Sequence, residues 1–499
     1  MAAGLMALGA AVLLQAAAAP SNPPPRPPRP MAPPVAGAMA FPRFQMPGIR
    51  VPRPPRFSRE DSRPGPDSAQ VAGLLTALAA TEASVCELAV DMLGNGWWGS
   101  GREVAALRDR RPAVDSARLA YQGGITDRRA VPLLLTTLAR PEPCVRRASA
   151  RLLGMSPLAA AAAGLRASLR HADGRVREAA LLGLGISEDP GAFDAVLQAL
   201  GDREPDVVRL AAWALGEYED ARAVPGLTRL LDRPEPAVRR AAAYALGSIE
   251  DTRATRPLLP LLRDRDSEVR EEAARALGSL EDAAATPALV DALEDRDPGV
   301  RLAAVEALGS IEDPKAARPV AELLRDASPE LRRAAAEALG SIEDRAAVPG
   351  LIRALEDRVA DVRAAAASAL GSIEDPAAAE ALGRATGDPD RTVRHEAISA
   401  LGSLDDLERA PESLIQALRD QDPEIRQSAA SALGSIGDPR SVPGLGRALE
   451  DADVQVRREV VSALGSIEDS TVTPFLVRAM KDTDPEVRRL AAEGLGQHR

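Results

Sequence analysis

The sequence predicts an all-α fold: a right-handed α-solenoid of about fourteen two-helix repeats of 31 residues, preceded by a disordered Pro-rich arm. Three observations predict it. The heptapeptide ALGSIED begins at Ala245, Ala307, Ala338, Ala369 and Ala463, with near-copies from Ala214, Ala276, Ala400 and Ala432. The glycines of these segments form a series at intervals of 31: Gly154, Gly185, Gly216, Gly247, Gly278, Gly309, Gly340, Gly371 and Gly402, then Gly434 after 32, and Gly465 and Gly496 at 31 again. Aromatic residues make up only 2% of the 499 residues, so Ala, Leu and Val must fill the core, which suits thin layers of close-packed helices. A fixed period of this length is the mark of a stack in which each unit buries its apolar face against its neighbours.

The stretch from Asp344 to Glu374 shows one unit. Val348, Leu351, Ile352 and Leu355 fall at helical spacing, and Val362, Ala365, Ala366, Ala369 and Leu370 do the same after a break. Each half predicts an amphipathic helix of about ten residues. Asp313-Pro314, Asp375-Pro376 and Asp438-Pro439 place a capping carboxylate before proline ahead of the first helix; Asp297-Pro298, Asp422-Pro423 and Asp484-Pro485 do so ahead of the second. The anchor glycine is expected to end the second helix as a left-handed cap. The recurring Pro225, Pro257, Pro287, Pro319, Pro349, Pro443 and Pro474 are expected to bend the first helix. ALGSIED is then a junction: Ala and Leu close one core layer, Gly stops the helix, Ile packs the turn and Asp starts the next unit. Fourteen layers about 8–10 Å apart make a curved rod on the order of 120–140 Å long.

The pattern of Asp, four residues, Val-Arg, then Ala-Leu-Gly resembles HEAT repeats, specifically the short repeats of the phycobilisome-lyase type. It stands at Asp264/Arg270, Asp295/Arg301, Asp357/Arg363, Asp388/Arg394, Asp451/Arg457 and Asp482/Arg488. The resemblance implies that these Asp and Arg residues form ladders between units. It also implies that first helices lie on the convex side and second helices line the concave side. The chain departs from the pattern where Val208 replaces the ladder Arg, where Arg140 and His171 replace the Asp, and where Cys86 and Asp115 hold the Arg position. The ladder is therefore expected to be weakest at the N-terminal end.

The regular repeats occupy residues 125–499. Two divergent repeats, 69–124, are expected to cap them, and the loop around Trp97 and Trp98 either covers the end layer or forms a second binding patch. Residues 20–68 read as a Pro/Arg-rich linker in polyproline II, because proline this dense lacks amide donors. Residues 1–19 are uncharged and mostly apolar, with small residues at Ala16–Ala19, and read as an export signal. The same run is compatible with an uncleaved anchor or an Ala-rich leader. Export to the periplasm or the outside is thus expected, with the cytoplasm as the alternative.

Net charge is −11, but residues 20–66 carry eight Arg against Glu60 and Asp61, a net of +6, which leaves −17 on the rest. A body so acidic argues against nucleic-acid binding, which needs clustered cations. The three histidines, His171, His395 and His498, lie in distant units, so neither a shared metal site nor any other cofactor is expected. Some relatives of this repeat type are iron-dependent hydroxylases using several His-Glu pairs; here only His395-Glu396 occurs. Asp and Glu recur in register and so read as caps or ladder groups rather than general acids. Cys86 and Cys144, two layers apart at on the order of 20 Å, are expected to be packing residues beyond the reach of a disulfide.

Specificity in such an array should lie where units differ. Three residues before each anchor glycine the column reads Leu182, Trp213, Tyr244, Arg275, Glu306, Glu337, then Ser368, Ser399, Ser431 and Ser462. With Tyr218 nearby, Leu182, Trp213, Tyr244 and Arg275 form the candidate partner patch, since large aromatics with Arg anchor interfaces. The competing reading is that Trp213 and Tyr244 fill gaps among alanines. The function expected is that of a non-enzymatic, monomeric scaffold for another protein or peptide. The alternatives are an accessory subunit of an enzyme of the chromophore-lyase or oxidoreductase kind, and an envelope-tethered sensor.

Overall fold

The structure, a computed structural model, describes residues 67–79, 125–404, 407 and 409–497. The expected export signal, nearly all of the arm, most of the divergent repeats, Cys86, Trp97, Trp98 and His498 lie outside the described residues. From residue 125 onward the described residues form twelve helix pairs and no strand. Helix Ser68–Ala79, before them, lies against the first pair through Val71, Leu74, Leu75 and Leu78. Second helices pack on the second helices of adjacent units all along the array, as in Ser267–Ser279 against Pro298–Ile311.

One unit shows how sequence makes the layer. Asp344 accepts the amide of Ala346 and starts a short 3₁₀ turn, Arg345–Ala347. The α-helix Val348–Ala354 follows, with Pro349 in its first turn, where no amide is needed. The second helix runs Ala360–Ile373. Val348, Leu351, Val362, Ala366 and Leu370 are all 3% exposed or less. The recurring prolines therefore do not bend a continuous helix. Each stands in the first turn of a short α-segment that a 3₁₀ turn has already separated from the junction, as at Pro225, Pro287, Pro443 and Pro474.

The junction differs from expectation in one respect. The anchor glycine lies inside the second helix, and the left-handed residue is the glutamate three positions on: Glu188, Glu219, Glu250, Glu281, Glu312, Glu343 and Glu374 have φ of 47° to 56°. Gly437 takes this place in one unit, at φ 70°. Glycine is needed at the anchor for space. A methyl at Gly309 would come within 3.0 Å of the Cα of Ala338, and one at Gly278 within 2.8 Å of the Cα of Ala307. The side-chain-free position lets successive second helices approach backbone to side chain, and the alanine of the next ALG is the group that arrives. The other parts of the junction are as expected: Ile311, Ile342 and Ile373 are buried, and Asp313, Asp375 and Asp438 each accept the amide two residues on.

Candidate functional site

The repeated charges form the ladder. Among the described residues eight ladder arginines each bond a backbone carbonyl of their own unit and the carboxylate of the next. Arg270 donates to the Asp264 carbonyl at 2.9 Å and to both Asp295 carboxylate oxygens at 2.7 and 2.9 Å. The same rung joins Arg177–Asp202, Arg239–Asp264, Arg332–Asp357, Arg363–Asp388, Arg394–Asp420, Arg426–Asp451 and Arg457–Asp482. Arg394 reaches Asp420 because the extra residue of the array falls in this interval. Among the described residues Arg301 donates to the Asp295 carbonyl and Arg488 to those of Asp482 and Thr483, with no carboxylate of a following unit.

The N-terminal departures have a structural counterpart. Arg146 is 8% exposed and donates to the carbonyls of Arg140 and Pro141; among the described residues no carboxylate bonds it where the ladder Asp is missing at His171, and Glu178 and Asp173 act on it only at longer range. Burial pushes its guanidinium below the usual arginine range. Position 208 is Val and position 233, where its Asp would stand, is Arg, so that rung is lost from both sides at once. Arg209 is paired instead with Glu178 and Asp206, and Arg233 with Glu235.

The clefts between units follow the same register. Three of them, about 510, 800 and 730 Å³, are lined by Arg166, Arg177 and Asp202, by Arg263, Arg270 and Asp295, and by Arg419, Arg426 and Asp451. A cleft repeated along the array at ladder rungs is a feature of the repeat, not a unique chamber. His395 is half-buried, 3.7 Å from Glu396, and His171 accepts the Asp173 amide. Among the described residues no group of three or more His, Cys, Asp and Glu is placed to hold a metal ion.

Cys144 corrects an expectation. It is disulfide-bonded, and the chain's other cysteine, Cys86, lies outside the described residues. The expected 20 Å separation rested on carrying the regular layer spacing through residues 69–124, where the repeat pattern is loosest.

The variable column lies on the second helices, half-buried at Leu182, Trp213, Tyr244 and Arg275. Trp213, on helix Pro205–Glu217, rests on the preceding unit: a methyl at Gly185 would come within 2.5 Å of its Cζ3. Tyr244, on helix Pro236–Ile249, touches the Gly216 position less closely, at 3.6 Å from a methyl there where Ala245 is the near group, and donates its hydroxyl to Glu217 at 2.8 Å. Both aromatics thus lie against the preceding unit, Trp213 more tightly. Arg275 is tied to Glu271 one turn earlier on its own helix.

Tyr218 does not join them. It is the residue after helix Pro205–Glu217; its hydroxyl donates to the carbonyl of Asp189 at 3.0 Å, and its ring meets Phe193 edge-on at 5.8 Å. Arg222 covers the Phe193 ring at 4.1 Å. Tyr218 is a strut between units, and its hydroxyl is pushed above the ordinary tyrosine range chiefly by burial. Glu306 stood in the variable column, but the buried carboxylates of this region were not singled out from the sequence. Glu217, Glu272 and Glu306 all have carboxyls raised above the usual range, with burial the chief cause; that of Glu272 reaches about 7. The signal available in the sequence was Glu272 itself, which stands where flanking units have Ala241 and Ala303.

Stacked helix pairs on an inter-unit Arg–Asp ladder define an all-α repeat solenoid. The HEAT-repeat family pattern matches residues 193–267, 255–327, 317–402, 384–451 and 442–499, together more than half of the chain. The chain belongs to the HEAT-repeat family. Among solved structures it is similar to an engineered protein (23% identity, 74% of this chain and 98% of that one, TM-score 0.34). It is also similar to phycocyanin lyase CpcE–CpcF from a Nostoc species (25%, 48% and 94%, 0.31). A third similar structure is human deoxyhypusine hydroxylase (31%, 49% and 95%, 0.23). No curated protein sequence matches.

Proposed function

We propose that this chain is a non-enzymatic scaffold that captures a protein or peptide on the face lined by its second helices. One observation carries the reading. The core, the caps and the ladder repeat in register, whereas Leu182, Trp213, Tyr244 and Arg275 occupy equivalent positions in four successive units with four different side chains. Selection for packing alone would favour one residue there, as the later units with Ser368, Ser399, Ser431 and Ser462 have. The aspartates that recur in register serve as ladder and cap groups, which supports a binding role rather than a catalytic one. Export is part of the proposal and is supported by the disulfide at Cys144, since such bonds persist in oxidising compartments. The scaffold acts as a monomer.

The test is capture of a partner with the full chain, followed by crosslink mapping. Crosslinks are expected on the second helices between residues 174 and 279. Replacing Trp213 and Tyr244 together by Ala is expected to weaken capture at least about tenfold, the effect typical of interface anchors. Circular dichroism serves as the control for folding. Crosslinks confined to the loops or first helices would refute the proposal.

A further inference from the structure

We infer that the second-helix face around Trp213 and Tyr244 takes an arginine or lysine side chain from the partner, seated against the aromatic rings and neutralised by Glu217 and Glu272. This rests on the reading that the face binds a protein, and adds the chemistry of what it binds.

Charge is the first support. The arginines sharing this face are already engaged: Arg209 with Glu178 at 3.4 Å, Arg240 with Glu268 and Arg275 with Glu271. Among the described residues Glu217, Glu272 and Glu306 have no ion-pair partner. Burial disfavours their charged forms, and neighbouring carboxylates add to this: Glu188 and Glu219 around Glu217, and Glu271 beside Glu272. Arg275 and Arg240 offset only part of it at Glu272. Partly desolvated carboxylates with incomplete counter-charge attract a cation strongly.

Placement is the second support. Trp213 and Glu217 are one turn apart on a single helix face, and Tyr244 of the next helix is hydrogen-bonded to that same Glu217. A guanidinium or ammonium that meets an aromatic ring and a carboxylate together gains both cation–π and charge attraction. The Tyr244 hydrogen bond offsets only part of the cost of the carboxylate, whose burial still raises it. Glu217 is the last residue of its helix, where the macrodipole disfavours an anion. A cationic ligand accounts for its presence.

The experiment uses the full chain and a short fluorescein-labelled Gly-Ser peptide bearing two arginines, read by fluorescence anisotropy beside the same peptide with citrulline. The arginine peptide is expected to bind about tenfold more tightly, and the Glu217→Gln/Glu272→Gln variant is expected to lose that advantage. A second variant, Glu343→Gln/Glu374→Gln, removes the same charge at exposed junctions elsewhere and is expected to stay within about twofold of the parent. Equal binding of arginine and citrulline peptides, or equal loss in both variants, overturns the inference. Partner crosslinks on the second helices would then leave the broader reading standing; crosslinks elsewhere would remove that reading instead.

Discussion

Arg270 and Asp295 stand 25 residues apart in the chain and are joined by two hydrogen bonds, 2.7 and 2.9 Å, from one guanidinium to one carboxylate. Arg270 is 4% exposed, and its third nitrogen is held by the Asp264 carbonyl. The rung couples one unit to the next through a fork of fixed geometry, which lysine could not supply. Repetition of the rung ties neighbouring units together over most of the array, with breaks at Arg146, Val208 and Arg301.

Removing one partner of a buried pair leaves the other charge uncompensated. Arg270→Ala is expected to cost about 3 kcal/mol, more than the Arg270→Ala/Asp295→Ala pair relative to Asp295→Ala alone. Urea unfolding of the four members of the cycle measures this. Additivity of the two single losses would show that the rung does not couple the units.

Acid should dismantle the ladder. The carboxyls of Asp357 and Asp482 lie below the usual aspartate range, chiefly through hydrogen bonds from Arg332 and Arg457. For Asp264 and Asp295 burial pushes upward, but the bonds from Arg239 and Arg270 prevail. A depressed folded value gives stability that is complete above the unfolded value of about 3.9 and is lost as pH falls through the folded one. Helicity should therefore hold through pH 5 and fall below about pH 4. Asp357→Asn should lose stability at pH 7 already and lose less on further acidification.

Glu272 should act in the opposite sense. Its carboxyl is raised to about 7 from 4.5, so the folded state holds its proton more tightly than the unfolded chain does. Its contribution is intact below 4.5 and declines as pH rises toward 7. Glu272→Gln should match or fall below the parent in stability at pH 4.5 and exceed it at pH 8. Parallel pH–stability curves would show that Glu272 is not desolvated.

The junction separates two roles of glycine. Glu312 has φ 56°, a conformation that costs a side-chain-bearing residue about 1 kcal/mol. Glu312→Gly should therefore raise stability by about 0.5 kcal/mol after the added freedom of the unfolded chain is subtracted. Gly309→Ala should lower it by about 1–3 kcal/mol, because the methyl meets the Cα of Ala338 at 3.0 Å. Thermal unfolding of the two variants checks both signs.

The disulfide is open to a direct count. Protein purified without reductant and denatured should show no titratable thiol, and reductant should lower its thermal midpoint, as cross-links of this kind contribute about 2–4 kcal/mol. Two reactive thiols in the denatured, unreduced protein would contradict the bond.

The sequence by itself determined the layers. A period of 31 with two amphipathic halves leaves a helix pair no way to bury its apolar face except against a neighbour, and Asp-Pro and Ile-Glu-Asp mark the boundaries, because caps and turns depend on residues close together in the chain. The tertiary structure decided everything that crosses from one unit to the next. It set that Arg270 takes its carboxylate from Asp295 and its carbonyl from Asp264, that the anchor glycine serves close approach while glutamate takes the left-handed turn, and that Trp213 and Tyr244 lie against the preceding unit while Tyr218 turns away to Asp189. The carboxylate, glycine and aromatic contacts join residues about one repeat apart, and a linear pattern repeated in every unit cannot say which copy a side chain reaches until the stacking distance and helix phase are fixed in space.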